Sequence, residues 1–137
     1  MKTLDMRFIR YLNLFERTCN VRTRFCFDYN SAIIYAVPAE FVARAIGENG
    51  RNAKRLREVL GKNIKIISQP SGDSDIRRFV LDVIDPLKFK EMQISANEVV
   101  INAGSQYKAA LLGRNKRRLL ELQRIVKDFF NRDLKII

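Results

Sequence analysis

A chain whose second half repeats its first can fold in few ways, because one supersecondary unit must serve twice. Shifting this sequence by 66 residues without a gap pairs Ile33 with Val99, Ile34 with Val100 and Tyr35 with Ile101. The same shift pairs Phe41 with Tyr107, Ala43 with Ala109, Ile46 with Leu112 and Gly47 with Gly113. It continues through Asn49 and Asn115, Arg51 and Arg117, Leu56 and Leu122, and Val59 and Ile125. The register then slips by four residues, from Ile64-Lys65-Ile66-Ile67 to Leu134-Lys135-Ile136-Ile137. Four residues are about one helical turn, so the second copy has the longer helix. The repeat predicts two domains, residues 1–70 and 71–137, joined in the Gln69-Pro70-Ser71-Gly72-Asp73 stretch.

Periodicity supplies the elements of each copy. Residues 4–17 place Leu4, Phe8, Tyr11, Leu12 and Phe15 on one helical face. From Val21 to Tyr29, aromatic and apolar residues alternate with Arg22, Arg24, Cys26 and Asp28, the pattern of a half-buried strand. Strict alternation makes Phe25, Phe27 and Tyr29 a core stripe on a one-sided sheet before it makes them a base-stacking platform. Ala32 to Val37 is a second strand ended by Pro38. Ala39 to Ile46 and Asn52 to Leu60 are short helices, and Asn63 to Ile67 closes the copy as a strand. After the linker, Ser74 can cap a helix carrying Ile76, Phe79, Val80 and Val83. Leu87 to Ile94 and Glu98 to Ala103 read as strands, Gln106 to Leu112 and Arg117 to Phe130 as helices, and Leu134 to Ile137 as the last strand. The fold class is therefore α+β, with the order α-β-β-α-α-β used twice.

Charge narrows the function. Net charge is +11, with 26 Lys and Arg against 15 Asp and Glu. Both copies are basic, +7 over residues 1–70 and +4 over 71–137. A basic folded body, as opposed to a basic tail, points first to nucleic acid. With no histidine and two cysteines, the chain offers no four-ligand zinc site of its own, and no cofactor or metal is expected. No nucleophile-elbow serine or phosphate-binding loop is present, so an enzyme is not expected. Met1-Lys2-Thr3-Leu4-Asp5 leads into an amphipathic helix and not an apolar signal, and no apolar run is long enough for a bilayer. A cytoplasmic protein without membrane contact, and a monomer, is the expectation.

The chemistry concentrates at two turns. Gly47-Glu48-Asn49-Gly50 joins two helices and is followed by Arg51, Lys54 and Arg55. A Gly-x-x-Gly turn lets backbone approach a phosphate chain, because glycine has no Cβ in the way. In the second copy Gly113 matches the first glycine, but Lys116 stands where the second belongs, among Arg114, Asn115, Arg117 and Arg118. A weaker and less shape-specific site is expected there. Bases at a helix start oppose the helix dipole, a cost that favours an anionic partner.

The run Ala45-Ile46-Gly47-Glu48-Asn49-Gly50-Arg51-Asn52-Ala53-Lys54-Arg55-Leu56 resembles a type II KH motif. The whole chain is similar to the short archaeal form of the NusA family of transcription elongation and termination factors, which consists of two tandem KH domains. The resemblance implies single-stranded RNA as partner, bound beside the turn, and a link to RNA polymerase. It assigns Gly47 and Gly50 as clamp glycines, with Glu48 and Asn49 as the variable pair. Ile46 becomes the groove floor, and Arg51, Lys54 and Arg55 become phosphate contacts. Gly113, Arg114, Asn115, Lys116, Arg117 and Arg118 form the second site. Two other readings stay open: a KH protein of ribosome assembly or RNA processing, and an adaptor that docks on polymerase with RNA incidental.

Overall fold

The computed structural model describes residues 6–137. The chain divides into two compact units, Met1–Gln69 and Pro70–Ile137. Each is α+β, built on one three-stranded sheet. No helix among the described residues is long and apolar enough to cross a membrane.

The first unit runs α1 (Met6–Cys19), β1 (Phe25–Tyr29), β2 (Ala32–Val37), α2 (Val42–Ile46), α3 (Arg51–Leu60) and β3 (Asn63–Ser68). Leu4, assigned to the first helix from its spacing, lies outside the described residues. Asn30 and Ser31 take positive φ between β1 and β2, as a tight hairpin turn requires. β2 then pairs parallel with β3, Ala32 opposite Asn63 through Val37 opposite Ser68. A parallel pair needs a long crossover, and residues 38–62 supply it as helix, turn and helix.

The core of this unit joins Tyr11, Phe15 and Cys19 of α1 to Leu56 of α3, Ala45 of α2 and the sheet residues Cys26, Ile33, Tyr35, Val37 and Ile66. Tyr35 stacks on Phe15 at 4.2 Å between ring centres, and its hydroxyl donates to the Tyr11 carbonyl at 3.0 Å. The buried phenol therefore keeps a partner, as buried polar groups must. Burial pushes the Cys19 thiol up to about 11 and raises Cys26 as well. Both thiols stay protonated at neutral pH and pack as small apolar groups.

The sheet departs from the alternation pattern. Cys26, not the aromatic stripe, is the β1 residue in the helix-covered core. Phe25, Phe27 and Tyr29 lie on the opposite face, where Phe27 and Tyr29 are nonetheless buried. Every residue from Ile33 to Val37 is buried, so β2 is apolar on both sides and the sheet is not one-sided. β1 also starts later than the alternation suggests. The Thr23 hydroxyl donates to the Ala36 carbonyl and accepts from the Phe25 N–H, so a side chain replaces the ladder there.

The second unit runs α4 (Ile76–Ile84), β4 (Glu91–Ile94), β5 (Glu98–Asn102), α5 (Gly104–Leu112), α6 (Arg117–Phe130) and β6 (Asp133–Ile136). Its sheet repeats the first, β4 antiparallel to β5 and β5 parallel to β6. Here alternation holds: Val99 and Ile101 are buried, while Val100 between them is only half-buried. Helix α6 has 14 residues against 10 in α3, the extra turn implied by the register slip. β4 is shorter than its sequence suggests, because the Leu87 N–H turns back to the Ile84 carbonyl at 2.9 Å.

Ser74 does not cap α4. A 3-10 turn over Asp73–Asp75 leads into the helix, and Asp75 is the residue at its start. The Asp75 carboxylate is held by the Arg78 guanidinium and by the Ser71 N–H at 3.0 Å. Those bonds, the one from Arg78 foremost, hold its pKa below the ordinary carboxylate value. Such a carboxylate stabilises the fold above its unfolded pKa and loses that contribution as acid protonates it in the folded state. Asp75→Asn should therefore lower the melting temperature at pH 6, and the difference from wild type should shrink as pH falls below about 4. A difference unchanged across a pH series of thermal melts would show that the ion pair contributes nothing.

Candidate nucleic-acid interface

Each unit carries its crossover turn between two helices, and the two turns share one backbone. Gly47 has φ 84° and ψ 167°, and Gly113 has φ 76° and ψ 173°. Asn49 and Asn115 both take φ 56°, with ψ 27° and 30°. Gly50 sits at φ 72°, ψ 20°, and Lys116 at φ 58°, ψ 25°. The hydrogen bonds match too: Gly50 N–H to the Gly47 carbonyl at 3.1 Å, and Lys116 N–H to the Gly113 carbonyl at 3.2 Å. The missing second glycine therefore leaves the turn's path unchanged. A lysine in the left-handed region costs about 1–2 kcal/mol.

The two glycines of the first turn are needed for different reasons. A Cβ on Gly47 would stand 2.9 Å from Asn52 Nδ2 and 3.1 Å from the Asn52 backbone nitrogen. A Cβ on Gly50 would meet nothing within 4 Å. Gly47 is required by both space and dihedral, Gly50 by dihedral alone. That is why the position of Gly50 can become Lys116 in the repeat, while the position of Gly47 remains Gly113.

A brace behind each turn also repeats, with different chemistry. Asn52 Nδ2 donates to the Arg44 carbonyl at 3.4 Å. At the equivalent position Arg118 Nη1 donates to the Ala110 carbonyl at 3.0 Å, and its side chain backs Gly113. Arg118 is half-buried and engaged, unlike the outward bases around it. Ile46 is half-buried and packs against the core of its unit.

Glu48, Asn49, Arg51, Lys54 and Arg55 are exposed and line an open depression together with Asn52 and Glu58. Glu58 was not visible as a site residue in the sequence; its spacing of four from Lys54 is the signal that places it there. Arg114, Asn115, Lys116 and Arg117 are likewise exposed. Ion pairs among the described residues use Arg7, Arg22, Arg78, Lys127 and Arg132. None uses Arg51, Lys54, Arg55, Arg114, Lys116 or Arg117. Neither α3 nor α6 has a side-chain hydrogen-bond cap at its start, so backbone donors and unpaired bases lie together at both turns. That combination suits an anion.

The chain is similar to a transcription termination protein. It is 25% identical over 123 residues to the "Probable transcription termination protein NusA" of Methanocaldococcus jannaschii, a match covering 87% of this chain and 66% of that protein. The chain thus spans just under two thirds of that relative's length. The crystal structure of APE1850 matches over 98% of this chain and 99% of its own, with a TM-score of 0.68 and 26% identity. No family model matches. The likeness to NusA is distant, and the solved structure extends a likeness of fold across both units.

The glycine geometry orders two substitutions. Gly50→Ala should cost about 1–2 kcal/mol, the left-handed penalty alone. Gly47→Ala should cost more, because an added Cβ crowds Asn52 as well as straining the backbone. Denaturant unfolding of both variants measures the order. Equal losses would contradict the assigned roles.

Proposed function

We propose that this chain binds single-stranded RNA through two type II KH modules, as a NusA-like factor in transcription elongation and termination. The observation that carries the reading is the shared turn. Twice, a glycine-led helix–turn–helix fills the crossover of a parallel strand pair, and twice it presents unpaired bases and uncapped helix starts. The order of strands and helices in each unit is that of a type II KH module, which supports the tandem assignment. The similarity to a NusA protein supports the placement in transcription.

The geometry supports a mechanism of phosphate capture. The phosphate chain runs past the turn, where Gly50 presents backbone without a side chain and Arg51, Lys54 and Arg55 neutralise charge. Bases would then lie away from the turn, read by groove side chains. Stacking contributes little, since Phe27 and Tyr29 are buried. Affinity falls with salt as counterions reoccupy the released phosphates. RNA polymerase is proposed as the protein partner in the same setting, with no metal, cofactor or membrane involved.

Fluorescence anisotropy with a short single-stranded RNA, DNA of the same sequence and duplex DNA tests the reading. RNA should bind best, and the Glu48→Asp, Asn49→Asp double variant should bind it more weakly and lose that preference. Asn49 already sits in the left-handed region, which Asp tolerates, so the fold should survive the change. Equal binding of all three nucleic acids, unchanged in the variant, would reduce the interaction to generic attraction for polyanions.

A further inference from the structure

The two turns share a backbone but not a charge pattern. The first groove holds Arg51, Lys54 and Arg55 against Glu48 and Glu58. At the positions of those two acids, the second unit carries Arg114 and Arg124. At the position of Gly50 it carries Lys116. Two exchanges run the other way, Lys54 to Leu120 and Arg55 to Glu121. Among the residues lining the first depression the balance is three bases against two acids, with a further exposed base, Arg44, just before the turn. At the matching positions of the second unit it is four outward bases (Arg114, Lys116, Arg117 and Arg124) against Glu121, with Arg124 lining a depression shared with Lys127, Asp128 and Asp133. All four outward bases are exposed, and none makes an ion pair among the described residues. Arg117 and Arg124 are seven residues apart on α6, two turns along one face. The brace Arg118 stands outside this count, being tied to Ala110.

Lys116 holds a backbone conformation that glycine would hold without strain. The corresponding Cβ direction at Gly50 is open space, so nothing inside the unit explains the side chain. We propose that the second turn, not the glycine-complete first one, supplies most of the salt-dependent hold on the RNA phosphates. Lys116 places an ammonium where the first turn offers bare backbone. This rests on the RNA-binding reading above, and it divides the work. The first turn admits close backbone approach in a field that Glu48 and Glu58 weaken, and the second anchors by charge.

The test is a salt series of anisotropy titrations on the full chain with one short single-stranded RNA. Variants are Lys116→Gly, the pair Arg114→Gln with Arg124→Gln, and the pair Lys54→Gln with Arg55→Gln. Each base lost from the second turn should lower the slope of log affinity against log salt by about 0.7, or about fivefold in affinity at 0.1 M salt. The first-turn pair should change that slope less than the second-turn pair. Lys116→Gly should also raise the melting temperature while weakening binding, a split that a purely structural lysine would not produce. Tighter binding by Lys116→Gly, an unaltered slope in the second-turn variants, or a larger slope change in the first-turn pair would overturn the inference alone. Failure of wild type to bind single-stranded RNA at any salt would overturn the RNA reading with it.

Discussion

The parallel pairing of β2 with β3, and of β5 with β6, is the constraint on which the rest of this structure depends. Neighbouring parallel strands cannot be joined by a tight turn; the chain must travel back along the sheet before the second strand begins. In both units that return path is a helix, a glycine-led turn and a second helix. The first strand, joined by a hairpin, only widens the sheet. What the crossover does is hold a turn rigidly between two helices, each anchored by its own core residues. Ala45 and Leu56 flank the first turn in this way, and Leu111 and Leu122 flank the second. The turn is therefore preorganised, and binding need not order it.

On this scaffold, backbone shape and charge vary independently. Dihedral angles at the two turns agree closely, although the residues at the last turn position are glycine and lysine. What holds the path is the first glycine, wedged against Asn52 or Arg118, and an asparagine that accepts the left-handed region. Those two features leave the outward side chains free to change sign. Duplication of the unit thus yields two turns with one geometry and different electrostatics.

Much of this could be read before any coordinates. The ungapped repeat, the glycine turn and the longer second helix all follow from spacing, because helical faces and turn residues leave periodic marks. The face of β1 did not. Alternation marks two sets of residues but not which set the helices cover, and β2 is apolar on both sides, so its neighbour's stripe decided nothing. Phe27 and Tyr29 are buried, as a core stripe requires, but the helices cover the opposite face, which carries Cys26. The start of α4 was hidden for another reason: Asp75 is claimed by Arg78 three residues on, a local side-chain pairing that cap preferences do not record. At the site, Lys116 marks a departure from the glycine pattern, and the survival of the turn's path was not legible, because a left-handed lysine is too uncommon to assume. Arg118 looked like a phosphate contact, because nothing in its neighbours reveals the reach of its guanidinium to Ala110.

The central claim is that nucleic acid meets this chain at both turns. The most direct measurement is amide chemical-shift mapping by NMR as a short single-stranded RNA is titrated into the labelled chain. The largest shifts should fall at Gly47 to Arg51 and at Gly113 to Arg117, saturating together with the fluorescence binding curve. Saturable shifts confined to residues away from both turns, or none at all, would contradict the account.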